Sequence, residues 1–254
     1  MESLEDWAER YCLQLNPTKT TVLAIASKHN IDIFKNLNIP LVQVCATTIP
    51  YSFVAKNLGM ILDSHLNWEK HIAQLCQRAY FKLKHLHIYK HVLNAPVKLK
   101  LVNALILSIF SYCDIVYHGL NRQLVQKIQK VQNSCIRYVY HINKRSHISP
   151  ILLEHFLLNM EQSRILHILT FIHSVLIHRK PIYILEKITF LKSHHQYTVR
   201  DNWALDIPIC RTSIGSTSFF VCGPRLWNEL PVTIRSLTNP NSFRNRCHNY
   251  LLNR

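Results

Sequence analysis

The sequence predicts an α+β fold, mostly α with a small antiparallel β-sheet near the N-terminus, and three observations predict it. Two long stretches after residue 67 carry apolar residues at helical spacing. Runs rich in β-branched residues, bounded by turn formers, fall in about the first 62 residues. Only four glycines occur in 254 residues, which leaves no room for a phosphate-cradling Gly-rich loop or a dinucleotide fingerprint. With 48% hydrophobic residues the chain can bury a real core.

Taken in order, Ser3 with Asp6 forms a capping box opening a short helix through Trp7 and Tyr11. Asn16-Pro17 turns the chain into a strand, Lys19 to Ala26. Leu41 to Cys45 and Ser52 to Leu62 read as two further strands, joined through Thr47, Thr48 and Pro50, and the three make one antiparallel sheet. Gly59, inside the apolar run Leu58 to Leu62, marks a bulge or the close approach of another backbone. Asp63 and Ser64 end that run, and Asn67 stands at the N-cap position of a helix from Trp68 to about Leu93. Its apolar residues at 68, 72, 75, 79, 83 and 86 make one buried stripe. Asn94-Ala95-Pro96 separates it from an apolar helix, Val97 to Tyr117. A second amphipathic helix runs from Asn121 to about Ile142, with Leu124, Ile128, Val131, Cys135 and Val139 as its core stripe. After the break at His147 to Pro150 an apolar helix, about Leu152 to His178, stops before Pro181. Residues 190 to 218 read as a polar loop, Gly223-Pro224 as a turn, Leu226 and Trp227 as groove anchors, and Ser242 as the cap of a last helix through Leu252. The regions are 1–66, 67–148 and 149–254.

The net charge of +16 points to a polyanionic partner. Between Lys70 and Leu153 there are thirteen Lys/Arg and one acid, Asp114, a local balance of +12 in a third of the chain. On the first amphipathic helix Lys70, Gln74, Arg78 and His85 fall opposite the apolar stripe, with Lys84 nearby, and Arg78, Lys82 and Lys84 are its candidate nucleic-acid contacts. On the second, Lys127, Lys130 and Arg137 share the far face, and Gln123, Gln126, Gln129 and Gln132 add neutral hydrogen-bonding groups. Two basic faces of this kind suit phosphate contacts that position a duplex without reading its sequence. Two solvated helices of a bundle are the plain alternative.

Several motifs resemble the reverse transcriptases of LINE-type (non-LTR), jockey-like retrotransposons. They are Trp7…Leu13-x-Leu15-Asn16-Pro17-x-Lys19-Thr20, Leu58-Gly59-x-x-Leu62-Asp63 with Leu66-x-Trp68-x-x-His71-Ile72, Lys127 to Gln132 with Tyr138 to Tyr140, and Gly223-Pro224-x-Leu226-Trp227-Asn228-x-Leu230-Pro231 with Ser242-Phe243. The resemblance implies that 1–66 is the end of the polymerase palm, with Leu58 and Gly59 in a primer-grip-like strand. It implies that 67–148 is the helical thumb and 149–254 a helical C-terminal region. The implied partners are RNA and DNA as primer–template duplex, together with the N-terminal polymerase part, which this chain lacks. Catalysis in this family needs carboxylates holding two Mg²⁺ ions about 4 Å apart, supplied by segments before the stretch that Trp7 to Thr20 resembles. No Asp-Asp pair occurs here, so the chain is expected to lack turnover alone, and Mg²⁺ is expected only for the full-length polymerase. Lys19 matches a lysine proposed to protonate pyrophosphate in related polymerases, and is a catalytic candidate only if the missing palm is present. A domesticated nucleic-acid- or protein-binding scaffold derived from a mobile element is the alternative.

Sixteen histidines include His87 and His91 at i, i+4 and the adjacent His194-His195, but no cysteine or carboxylate stands beside them at ligand spacing, so no metal site is expected. The eight cysteines form no Cys-x-x-Cys pair and read as reduced, buried thiols. The run Leu101 to Tyr117 is broken by Asn103, Ser108, Ser111 and Asp114 and is too polar to span a bilayer. With an acidic, polar N-terminus lacking a signal-peptide pattern, the expected location is intracellular, nuclear or cytoplasmic, without membrane contact or secretion.

Overall fold

The computed structural model describes residues 4–37, 39–191 and 201–254. Ser3 and His194-His195 lie outside them. The chain is α+β, mostly helical with small sheets near the N-terminus, and divides into two compact units, Met1–Gln74 and Leu75–Arg254.

In the first unit α1 (Leu4–Arg10) is followed by a 3₁₀ turn, Pro17–Lys19, capped by Asn16, whose side chain accepts from Thr18 N. Among the described residues the strands are six short ones rather than three: β1 (Val22–Leu23), β2 (Val42–Val44), β3 (Thr47–Ile49), β4 (Tyr51–Ser52), β5 (Val54–Asn57) and β6 (Met60–Asp63). They do not form the single antiparallel sheet expected. β2 and β3 make one hairpin, β5 and β6 another, and β1 pairs with β4 in parallel. Both hairpins close through two left-handed residues, Cys45 and Ala46 in the first, Leu58 (φ 46°) and Gly59 (φ 84°) in the second. Positive φ at both turn positions matches the right-handed twist of the flanking strands. Gly59 therefore turns the chain instead of bulging a strand. A helix not foreseen, α2 (Lys28–Asn36), starts where the Ser27 hydroxyl accepts from Asn30 N, and packs Phe34 edge-on against Tyr51, ring centroids 4.8 Å apart.

Asp63 organises the entry to α3 (Glu69–His87). Its Oδ1 accepts from His65 N and Asn67 N and its Oδ2 from Trp68 N, at 3.0, 3.2 and 3.1 Å. Leu66 and Trp68 both have positive φ, which packs the turn tightly enough for one carboxylate to serve three donors. Asp63→Ala should cost about 2–3 kcal/mol, because three donors lose an anionic acceptor. Asp63→Asn, which keeps an oxygen, should cost about half of that. Urea unfolding checks it; a loss below about 0.5 kcal/mol for Asp63→Ala contradicts the anchoring role.

The stripe read from sequence is buried: Trp68 in the turn just before α3, and Ile72, Leu75, Ala79, Leu83 and Leu86 on the helix itself. The helix ends at His87, short of Leu93. In the second unit α4 (Ala95–Val102) runs through a π-helical turn, Asn103–Leu107, into α5 (Ser108–Ser111). The expected helix through Tyr117 stops there because Tyr112 is extended and Cys113 left-handed. α6 (Arg122–Tyr140) is capped by Asn121 and buries Leu124, Ile128, Val131, Cys135 and Val139 as expected. The helix expected from Leu152 to His178 is two, α7 (Ser149–Glu154) and α8 (Met160–His178). Left-handed Phe156 interrupts them, and Asn159 with Gln162 forms a reciprocal capping box that restarts the helix. Residues 75–148, most of the region read as 67–148, share this unit with 149–254: Gln132 Nε2 donates to Leu158 O at 2.8 Å, and Met160 N to Gln129 Oε1 at 3.0 Å. Among the described residues no helix is long and apolar enough to cross a membrane.

Of the remaining helices, α9 (Ile182–Leu185), α11 (Phe219–Asn228), α12 (Val232–Arg235) and α13 (Pro240–Leu252) share the core built on α8, while α10 (Ser213–Ser216) lies against α11. Gly223-Pro224 lies inside α11 and not at a turn. A Cβ at Gly223 would stand 2.9 Å from Ile172 Cδ1, so the glycine lets α11 approach α8 closely. Trp227 is buried beside Phe243, its indole N–H donating to Trp203 O, while half-buried Leu226 packs at the edge of the same core. Asn228 pairs both amide atoms with the Leu205 backbone at 2.8 Å, and Arg235 joins Leu230 O to Asp201. The last helix is capped by Asn239 rather than Ser242, because Asn239 accepts from Asn241 N and Ser242 N and Pro240 follows at the first helical position. Within the region read as a polar loop, Phe190 and Leu205 form an antiparallel bridge.

Of the eight cysteines, read from sequence as buried thiols, Cys135, Cys222 and Cys247 are buried and Cys76 half-buried, whereas Cys12, Cys45, Cys113 and Cys210 are exposed. Three of the exposed four occupy left-handed turn positions, off any apolar face.

A polar cluster lies inside this second unit. Asp114 is buried and pairs with His167 Nδ1 at 2.5 Å, and the Tyr117 hydroxyl donates to Phe110 O. Among the described residues, His118 Nδ1 and Arg164 Nε have no hydrogen-bond partner. Desolvation, then the Arg164 charge, pushes His118 down to about 4, with Asp114 opposing. A folded value below the unfolded 6.5 means that His118 contributes stability fully above pH 6.5, lost as pH falls towards 4. The shift corresponds to about 3 kcal/mol. His118→Gln should flatten the fall in melting temperature between pH 6.5 and 4; an unchanged slope contradicts the assignment.

Candidate nucleic-acid interface

Periodicity alone places the cations. A residue three or four positions from another shares its helix face, so the apolar stripes turn the intervening basic residues outward. On α3, Arg78 and Lys84 are exposed, and neither has a hydrogen bond or ion pair among the described residues. Lys82 differs. It is half-buried, and its Nζ donates to Leu105 O at 2.9 Å, in the π-helical turn. On α6, Lys127 and Lys130 are exposed. Arg137 is half-buried and committed: its Nε donates to Asn143 O and its Nη2 to Ser146 O, at 3.4 and 3.2 Å, clamping the loop after the helix.

The glutamines divide in the same way. Gln123 and Gln126 are exposed. Gln129 and Gln132, expected on the basic face, belong to the internal network instead. Gln129 Nε2 donates to Gln132 Oε1 and Asn133 Oδ1, and Gln132 is buried against Leu158 O. Nearly half the circumference of α6 is covered towards its C-terminus, where Ile136 and Tyr138 are buried too.

Helices α3 and α6 lie side by side. The Tyr138 hydroxyl donates to Leu86 O at 2.9 Å and its ring stands 4.9 Å from that of His87. Nearer their starts, Lys127 acts on Cys76, whose thiol is raised by burial and drawn back by that ammonium. The two helices therefore run in the same direction. Asp114, the one acid between Lys70 and Leu153, is inside and paired, so it does not neutralise these surface cations. Not every cation is outside: Lys98 is buried, its Nζ 2.7 Å from His141 Nε2 and 5.4 Å from the centroid of the Tyr138 ring.

A groove of about 660 Å³ opens beside α6, lined by Gln126, Arg137, Lys144, Arg145, His147 and Glu161 among others. Lys144 and Arg145 counted only as charge in the sequence. Their place beside the groove follows from the Arg137 clamp, which no spacing rule signals.

In the first unit Lys19 is exposed at the end of its 3₁₀ turn, and Leu58 and Gly59 form the exposed tip of the β5–β6 hairpin, off the strands themselves. Among the described residues no group of three or more His, Cys, Asp and Glu side chains is placed to hold a metal ion. Three of the aspartates have partners inside the protein: Asp63 serves three backbone donors, Asp114 pairs with His167 and Asp201 with Arg235. The His87 ring lies against Tyr138, its pKa lowered by desolvation and by Lys90. No family model, curated protein or solved structure matches the chain.

Proposed function

We propose that this chain binds nucleic acid through the basic faces of α3 and α6, as the C-terminal part of a LINE-type reverse transcriptase that contacts primer–template duplex and does not catalyse synthesis by itself. One observation carries the binding: Arg78, Lys84, Lys127 and Lys130 are exposed on neighbouring helices, and the segment's single acid is sequestered. Cations without partners of their own suit phosphates, which set orientation and carry no sequence information. The origin rests on the sequence motifs described above. Its catalytic corollary rests on the absence of any Asp-Asp pair in the sequence, with Lys19 catalytic only beside a palm.

Salt dependence tests the reading. Affinity for a duplex should fall by roughly a thousandfold between 50 and 200 mM salt if about six phosphates are neutralised. A flat response favours instead a scaffold derived from a mobile element, docking on protein.

A further inference from the structure

We propose that α3 also carries a stacking platform for unpaired bases, centred on Phe81, so that the nucleic acid bound includes a single-stranded segment; this rests on the nucleic-acid reading above. Phe81 is 65% exposed in the middle of a 19-residue helix. Its neighbours in sequence at 79, 83 and 86 are buried, so the phenyl ring belongs to the solvent side. Arg78 three residues before it and Lys84 three after it are exposed on that side, one helical turn away in each direction. His85 holds the ring's other flank: its Nδ1 lies 2.8 Å from Phe81 O, and the two ring centroids are 4.4 Å apart at a 55° tilt. Tyr80 is 44% exposed, and beyond the helix end Tyr89 is 54% exposed beside exposed Lys90.

Phosphate contacts alone explain the cations and leave the aromatics without a role. A large exposed ring among unpaired cations is the combination that holds a single strand, with bases on the rings and phosphates on the charges. The occupant follows from charge. A protein docking on these rings has to supply acids to match Arg78, Lys84 and Lys90, whereas a nucleic-acid strand brings one phosphate with every base. A duplex keeps its bases stacked on each other, so the platform should not contribute to duplex binding.

Three labelled probes of equal length separate these terms for the full chain at 100 mM salt: oligo(dT), the same strand with abasic sites, and a duplex. The wild-type chain should bind oligo(dT) about tenfold tighter than the abasic strand, the scale of one stacked base. Phe81→Ala should erase that preference and leave duplex affinity unchanged, and Phe81→Trp should keep it. A full base preference in Phe81→Ala overturns the platform, as does an equal loss on all three probes. If duplex binding stays salt-dependent in either case, only the platform fails. If the wild-type chain binds none of the probes, the nucleic-acid reading itself fails and takes the platform with it.

Discussion

Reversing two charges on α6, Lys127→Glu with Lys130→Glu, should lower duplex affinity by about a hundredfold at 100 mM salt and reduce the salt slope by about two. Both side chains are exposed and make no hydrogen bond or ion pair among the described residues. Their replacement should leave the helical circular dichroism and the melting temperature unchanged. Arg137 shares the same basic face in the sequence but is left out of this test, because its guanidinium clamps Asn143 and Ser146. Arg137→Glu should release that loop and so reshape the groove beside α6, confounding charge with structure. Fluorescence anisotropy across a salt series checks the double variant. Unchanged affinity with an unchanged slope removes α6 from the interface.

The division between Lys127 and Arg137 shows what the sequence could and could not yield. The apolar stripes of α3 and α6 were legible because burial imposes a 3.6-residue period that few other constraints mimic. The two faces opposite them were legible for the same reason. Which cations are available was not, because periodicity assigns a direction and no partner. Lys82 reaches Leu105 O, Lys98 is buried beside His141, and Arg137 holds a loop, each through residues far from any recognisable spacing. The hairpins escaped because their left-handed turns are Cys45-Ala46 and Leu58-Gly59 rather than the Asn-Gly or Asp-Gly that signals such a turn. The restart of the chain at α8 was written in Asn159 and Gln162, yet the continuous apolar content around them outweighed that signal. Gly223-Pro224 reads locally as a turn, and only its packing against Ile172 shows why it is held inside a helix.

Trp227→Ala should destabilise the second unit by about 3–5 kcal/mol, the range for emptying a large aromatic site in a core. The residue is 1% exposed and stacks on Phe243 with centroids 5.6 Å apart. Its truncation also removes the donor to Trp203 O, a bond of 2.8 Å that ties α11 to the segment before α10. At about 2–4 °C per kcal/mol for a unit of this size the melting temperature should fall by roughly 6–20 °C, and the loss is a large share of the about 5–15 kcal/mol that stabilises a typical domain. Trp227→Phe keeps most of the apolar contact and loses only the donor, and should cost about 1–2 kcal/mol. Because this second variant stays folded, it also tests what the motif around Trp227 is for. Several other motif residues have structural partners too: Gly223 faces Ile172, Asn228 pairs with Leu205, and Leu230 accepts from Arg235. Nucleic-acid affinity and its salt slope should therefore be unchanged in Trp227→Phe. Thermal melts and duplex titrations of the same sample decide it: a folded Trp227→Phe chain that no longer binds duplex makes the motif part of the interface and not of the core alone.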